Sequence, residues 1–110
     1  MKYQRYDILS ALYPFTDLSG AKRRPVVVLT DLEGDNLIAC QITTKKHTFT
    51  KYLIPLPKSA CEGDIRFDSF ICTDLIATIH KSLIFKKLGT IQDTQIKHEL
   101  DMKVSALVAK

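Results

Sequence analysis

The chain is short of most features that would mark a stapled, metal-held or membrane-embedded protein. Its three cysteines, Cys40, Cys61 and Cys72, are odd in number and form neither a CxxC pair nor zinc-ligand spacing. That excludes a disulfide framework and predicts reduced, mostly buried thiols in a cytosolic protein. No apolar run approaches the roughly 20 residues that cross a bilayer. The opening Met1-Lys2-Tyr3-Gln4-Arg5-Tyr6 has no hydrophobic signal region, so the expected location is cytoplasmic, away from any membrane. Internal repeats, low-complexity tracts and Pro/Gly linkers are also missing, which predicts one domain over residues 1–110.

What is present fits that picture. Hydrophobic residues make up 45% and charged residues 25% of the 110 positions, ordinary usage for a globular domain of common size. A domain this small buries its surface incompletely, so a dimer interface would add stability. The formal net charge is +4, and residues 1–60 hold nine Lys/Arg against five Asp/Glu while residues 61–110 hold seven of each. A basic excess confined to one half suits a polyanionic partner such as RNA, DNA or an acidic protein segment; ordinary solubilising charge explains it equally well.

Residues 13–31 organise the rest. Pro14 and the run Asp17-Leu18-Ser19-Gly20 have turn chemistry, and the turn delivers Lys22, Arg23 and Arg24 to the mouth of the strand Val26-Val27-Val28-Leu29. An unbroken β-branched run of this kind is buried on both faces. A guanidinium at its entrance is held firmly, and its planar fork matches phosphate oxygens. Strands are expected at Tyr6–Leu12, Pro25–Thr30, Leu37–Thr43 and Thr48–Leu56, with a loop over Lys58–Asp64. The stretch Phe67–Ile79 is also β-rich; Asp74 is the single charge between its apolar segments Phe70–Cys72 and Leu75–Ile79, which predicts a buried carboxylate with a partner. Lys81–Gly89 is either a helical turn or a bent strand closing at Gly89. Ile96, Leu100, Val104, Leu107 and Val108 recur at helical spacing behind a cap at Gln92 or Asp93. Short strands followed by a terminal amphipathic helix imply an α+β fold, a small antiparallel sheet curled toward a barrel.

Three ordered blocks resemble a known family. Pro14-Phe15-Thr16-Asp17-Leu18-Ser19-Gly20 with Lys22-Arg23-Arg24-Pro25-Val26-Val27-Val28-Leu29 is similar to the first block of MazF/PemK-type toxins of type II toxin–antitoxin systems. Ala39-Cys40-Gln41-Ile42-Thr43 resembles the strand bearing that family's active-site threonine, and Asp74–Ile79 running on to Lys87–Thr90 resembles its late strand. The resemblance implies an SH3-like barrel of the MazF/PemK/CcdB type, commonly a homodimer. It further implies a cofactor-free, metal-independent endoribonuclease that cuts single-stranded RNA, including mRNA, to a 2′,3′-cyclic phosphate and a 5′-hydroxyl and is silenced by an acidic antitoxin. The catalytic arginine then falls on Arg24, the threonine on Thr43 and an acidic residue on Asp74. Asp17, Ser19, Lys22, Arg23, Lys45, Lys46 and His47 are expected along the RNA path. The chain departs from the pattern at Tyr6, where glycine is common, at Cys72, where some members carry an arginine, and at His80, where many carry aspartate.

The chemistry of these side chains is consistent with the resemblance. Cleavage by the RNA's own 2′-hydroxyl needs a proton acceptor, a cation for the phosphorane oxygens and a proton donor for the departing 5′-oxygen. Arg24 stays charged and can grip two oxygens; Thr43 can hydrogen-bond the same phosphate or position the 2′-hydroxyl, though a threonine at a strand end is common for β-propensity alone. Asp74 can act as base, orient Arg24 or satisfy a buried donor. His47 and His80 titrate in a suitable range, yet a lone histidine is more often structural; His98 falls on the polar side of the helix. Phe15, Phe49 and Tyr52 can stack bases, or belong to the core. Two rivals stand beside the ribonuclease: a non-catalytic RNA- or protein-binding module on the same barrel, and a topoisomerase-poisoning toxin of related fold.

Overall fold

A computed structural model describes residues 2–14, 21–45 and 51–109. The chain forms seven strands and one helix: β1 (Asp7–Pro14), β2 (Ala21–Asp31), β3 (Asn36–Thr43), β4 (Leu53–Leu56), β5 (Cys61–Gly63), β6 (Ser69–His80), β7 (Ile84–Ile91) and α1 (Thr94–Val108). They build one antiparallel sheet in the order β4-β6-β3-β2-β1-β7-β5. The first three strands form the expected meander, and the sheet is the expected curled, barrel-like one, with β4 and β5 at its edges among the described residues.

The β-branched run of β2 explains why that strand is central. Val26, Val27 and Val28 have no exposed surface because alternate residues enter two different cores. Val27 joins Ile8, Cys40, Ile42, Ile54, Leu56, Ile71, Ile91 and Leu100, while Val26 and Val28 join Leu9, Ala11, Tyr13, Leu37, Ala39 and Ile79. A strand buried on both faces has no polar alternation to display.

Several boundaries differ from the sequence reading. β2 begins at Ala21, so Lys22, Arg23 and Arg24 lie within the strand and Pro25 faces Ser10 in mid-ladder. Proline survives there because this half of β2 is an edge on one side: pairing with β3 begins only at Val26. The expected Lys58–Asp64 loop contains a 3₁₀ turn at Lys58–Ala60 and the short strand β5. Lys81–Gly89 resolves into both alternatives, a 3₁₀ turn at Lys81–Leu83 followed by β7. Gly89 does not close that element; it faces Gly63 inside the β5–β7 ladder, where an added Cβ would lie 2.1 Å from the Glu62 carbonyl oxygen.

Helix α1 closes the first core. Asp93 caps it, its Oδ1 accepting from the Gln95 and Ile96 amides at 2.9 and 3.0 Å. Leu100 is fully buried between the half-buried Ile96 and Val104, whereas Val108, expected on the same stripe, is 72% exposed. No helix among the described residues is long and apolar enough to cross a membrane.

Tyr6 ties this helix to the first strand. Its φ is 75°, a left-handed geometry that strains a bulky residue by roughly 1–2 kcal/mol and that glycine adopts freely. Its hydroxyl donates to Asp101 Oδ2 at 2.7 Å, and the Arg5 and Lys97 side chains lie 5.5 and 5.1 Å from its ring centroid. Those contacts offset the strain and give the tyrosine a use that glycine could not have.

The start of the chain is fixed by a buried carboxylate. Asp31, with a side chain only 3% exposed, accepts from the Tyr3 and Glu33 amides, both at 2.7 Å, and from Lys81 Nζ at 2.9 Å. The Tyr3 amide, followed by Lys81, lowers its pKa from 3.8 to about 2. A carboxylate with a depressed folded-state pKa stabilises fully above its unfolded value and loses that contribution as pH falls through the folded one. Urea unfolding is therefore expected to show lower stability at pH 2.5 than at pH 6, with Asp31→Asn narrowing the gap. An unchanged gap would show that Asp31 does not drive it.

Candidate active site

The site is built where β2 and β3 part. Their hydrogen-bonded pairs end at Val26–Gln41, and Arg24 and Thr43 each lie two residues beyond that last pair, where the strands no longer bond each other. Arg24 also faces Ala11 of β1 and shares its β2 face with Val26 and Val28, and Thr43 shares its β3 face with Ala39. Two-residue periodicity thus brings a cation and a hydroxyl to one face at the open end of two strands. Both are half-buried, which favours firm positioning with access to solvent. Thr43 Oγ1 accepts from the Lys45 amide at 3.1 Å, so its own proton is available to a ligand.

Asp74 arrives by a different device, and its surroundings correct an expectation. It is exposed, not buried. In the β3–β6 ladder Cys40 faces Ile76 while Gln41 faces Cys72, so Thr73, Asp74 and Leu75 are extra residues of a bulge. Thr73 anchors one side, its amide and Oγ1 both donating to the Tyr52 carbonyl. Tyr13 anchors the other, its hydroxyl donating to the Leu75 carbonyl. The bulge turns the carboxylate into solvent, so no buried partner is needed.

Tyr13 sits at the centre of this group. Burial pushes its phenol well above the ordinary value, and Cys40, Cys72 and Asp74 add to the shift. Cys72 is fully buried, and its thiol is pushed up to about 11, first by burial and then by Asp74. Cys40 is pushed up to about 12 for the same reasons, with Cys72 contributing. Neutral thiols of this kind are neither cations nor nucleophiles at neutral pH, so the positive charge on this face comes from β2.

The other expected residues divide. Lys22, exposed and opposite Tyr13, shares the Arg24 face. Arg23 projects from the opposite face, so the three cations are not one cluster. Lys45 is exposed just past Thr43. Asp17, Ser19, Lys46 and His47 lie outside the described residues, as do Phe15 and Phe49. His80 is a structural cap whose Nδ1 accepts from the Ser82 amide at 3.1 Å, and His98 is exposed on α1. No three His, Cys, Asp or Glu side chains converge as a metal site among the described residues.

A family model described as "PemK-like, MazF-like toxin of type II toxin-antitoxin system" matches residues 4–107. The chain belongs to that family. Among solved structures, MazF (Form-I) from Deinococcus radiodurans has a TM-score of 0.75 at 16% identity, covering 100% of this chain and 99% of that one. The Mycobacterium tuberculosis toxin MazF-mt6 has 0.70 at 18% identity, covering 94% and 96%. An endoribonuclease in complex with its cognate antitoxin from a Mycobacterial species has 0.71 at 14%, covering 97% and 95%. No curated protein sequence matches the chain. At these identities the MazF structures share the fold with this toxin. The sequence reading missed Tyr13 as the organiser of the Asp74 bulge, because it ended the first strand at Leu12, whereas β1 runs on and pairs Tyr13 with Lys22.

Proposed function

We propose that this toxin is a metal-independent endoribonuclease that cuts single-stranded RNA through its own 2′-hydroxyl, acts as a homodimer and is held in check by a cognate acidic antitoxin. The observation that carries the reading is that Arg24 and Thr43, each two residues beyond the last β2–β3 pair, share one sheet face where the strands part. Membership of a toxin family and likeness of fold to an endoribonuclease bound to its antitoxin support it.

In this scheme Asp74, exposed in its bulge, takes the proton from the 2′-hydroxyl. The 2′-oxygen bonds to phosphorus, the bond to the 5′-oxygen breaks, and water reaching the open site protonates the departing oxygen. The Arg24 guanidinium holds the non-bridging oxygens as their charge grows. Thr43 donates its hydroxyl to the same phosphate. The products are a 2′,3′-cyclic phosphate and a 5′-hydroxyl, and the scheme calls on no metal because Arg24 carries the charge.

The test is cleavage of unstructured RNA in EDTA. Wild-type protein is expected to leave 5′-hydroxyl ends that polynucleotide kinase labels without phosphatase treatment. Thr43→Ala is expected to slow cutting about a hundredfold, as loss of one transition-state hydrogen-bond donor does, while Thr43→Ser keeps most of the rate. Intact RNA would hand the chain to the binding-module reading, and 5′-phosphate ends would refute the 2′-hydroxyl route.

A further inference from the structure

Arg23 belongs to an assembly of its own. Its Nε donates to Ser10 Oγ at 2.8 Å, and its guanidinium carbon lies 4.4 Å from the centroid of Phe85. The ring is there because of a bulge: Ser10 faces Lys86 and Ala11 faces Ile84, which leaves Phe85 as the extra residue of β7. A bulge re-aims a side chain, and this one holds a large apolar ring 52% exposed beneath a cation. Lys86, the chain neighbour of Phe85, lines a cavity of about 320 Å³ whose walls include the buried Ile42 and Leu56 and the exposed Arg66 and Phe67. Phe67 is 68% exposed. Pro25 and Thr44 also line the cavity; they are the chain neighbours of Arg24 and Thr43, so it begins where the candidate active site ends. The carboxylate at the rim, Asp64, is bound to Arg66 at 3.2 Å.

We propose that this patch is an accessory subsite for single-stranded RNA, in which the Arg23–Phe85 stack receives an unpaired base beyond the cleaved bond and Arg66 and Lys86 hold neighbouring phosphates. The inference rests on RNA being the substrate. Exposed rings interleaved with cations are what unpaired nucleotides need, a flat face for each base and a positive track for the backbone. An acidic peptide would be satisfied by the cations alone and would leave the two exposed rings unused. The position one residue from both Arg24 and Thr43 lets one strand occupy both faces by passing the end where β2 and β3 part.

The experiment is fluorescence anisotropy with a labelled, fully 2′-O-methylated RNA of mixed sequence and roughly twelve nucleotides, within the span of single-strand binding sites. This probe has no nucleophilic hydroxyl and stays intact. Phe85→Ala is expected to weaken binding about tenfold, the loss of one base stack, Phe85→Tyr to restore it, and Arg23→Gln to weaken it comparably, all three keeping the wild-type circular dichroism spectrum. If Phe85→Ala and Arg23→Gln bind as tightly as wild type, the subsite is overturned, even if wild type cuts unmodified RNA in EDTA. If binding depends on Phe85 but wild type leaves RNA uncut, the subsite stands and the endoribonuclease reading falls. Polyglutamate binding that drops as steeply on Phe85→Ala would overturn the assignment to nucleic acid.

Discussion

Arg24→Ala is expected to lower RNA cleavage in EDTA by about a thousandfold, the upper range for removal of one preorganised charge-stabilising group. Cys72 is a buried neutral thiol, Arg23 projects from the far face, and Lys22 is exposed at a position two residues further from the last β2–β3 pair. The developing phosphorane charge then depends on the half-buried Arg24 alone. Arg24→Lys should recover only part of the rate, because an ammonium is a point charge without the guanidinium's fork. Binding of the 2′-O-methylated probe should fall far less than the rate, since other cations hold the backbone. The measurement is single-turnover cleavage beside anisotropy; equal losses in both would mean that Arg24 only binds.

Leu100→Ala carries the largest expected loss of stability, about 3 kcal/mol, within the usual range for a leucine truncated in a packed core. Leu100 is the residue that α1 buries completely, in contact with the core that holds Ile54, Ile71 and Ile91. A 15-residue helix is marginal by itself in water, so its folding depends on that contact, the Asp93 cap and the Tyr6–Asp101 hydrogen bond. Urea denaturation followed by circular dichroism checks this, with Val108→Ala as control. Val108 is 72% exposed, and its truncation should stay within about 0.5 kcal/mol. A Leu100→Ala variant as stable as that control would mean that the helix is held mainly by its polar contacts.

Periodicity made the buried run of β2, the β1-β2-β3 meander and the capped terminal helix legible, because each is a local pattern. Arg24 and Thr43 were singled out through the resemblance, and the fold puts both just past the last β2–β3 pair, on one sheet face. The remainder depends on contacts distant in sequence. Asp74 looks buried in an apolar run, and only the pairing of β3 with β6 reveals the bulge that swings it outward. Phe85 looks like one more core aromatic until β1 and β7, more than seventy residues apart, are paired. Tyr6 was visible as a departure from a common glycine, but its meaning lies in Asp101, at the other end of the chain.

The strand order also governs when the candidate site can exist during synthesis. β1 is made first, yet it lies between β2 and β7, and Asp7 pairs with Thr90. Thr43 pairs with Phe70, and the bulge carrying Asp74 belongs to the same late strand, β6. Arg24 can settle into the β1–β2 hairpin early, but its hydroxyl and carboxylate companions are not in place until β6 has left the ribosome. Long-range pairings of this kind close late and slowly. A nascent chain would therefore carry Arg24 through most of its translation without the hydroxyl and carboxylate that the proposed cleavage needs beside it.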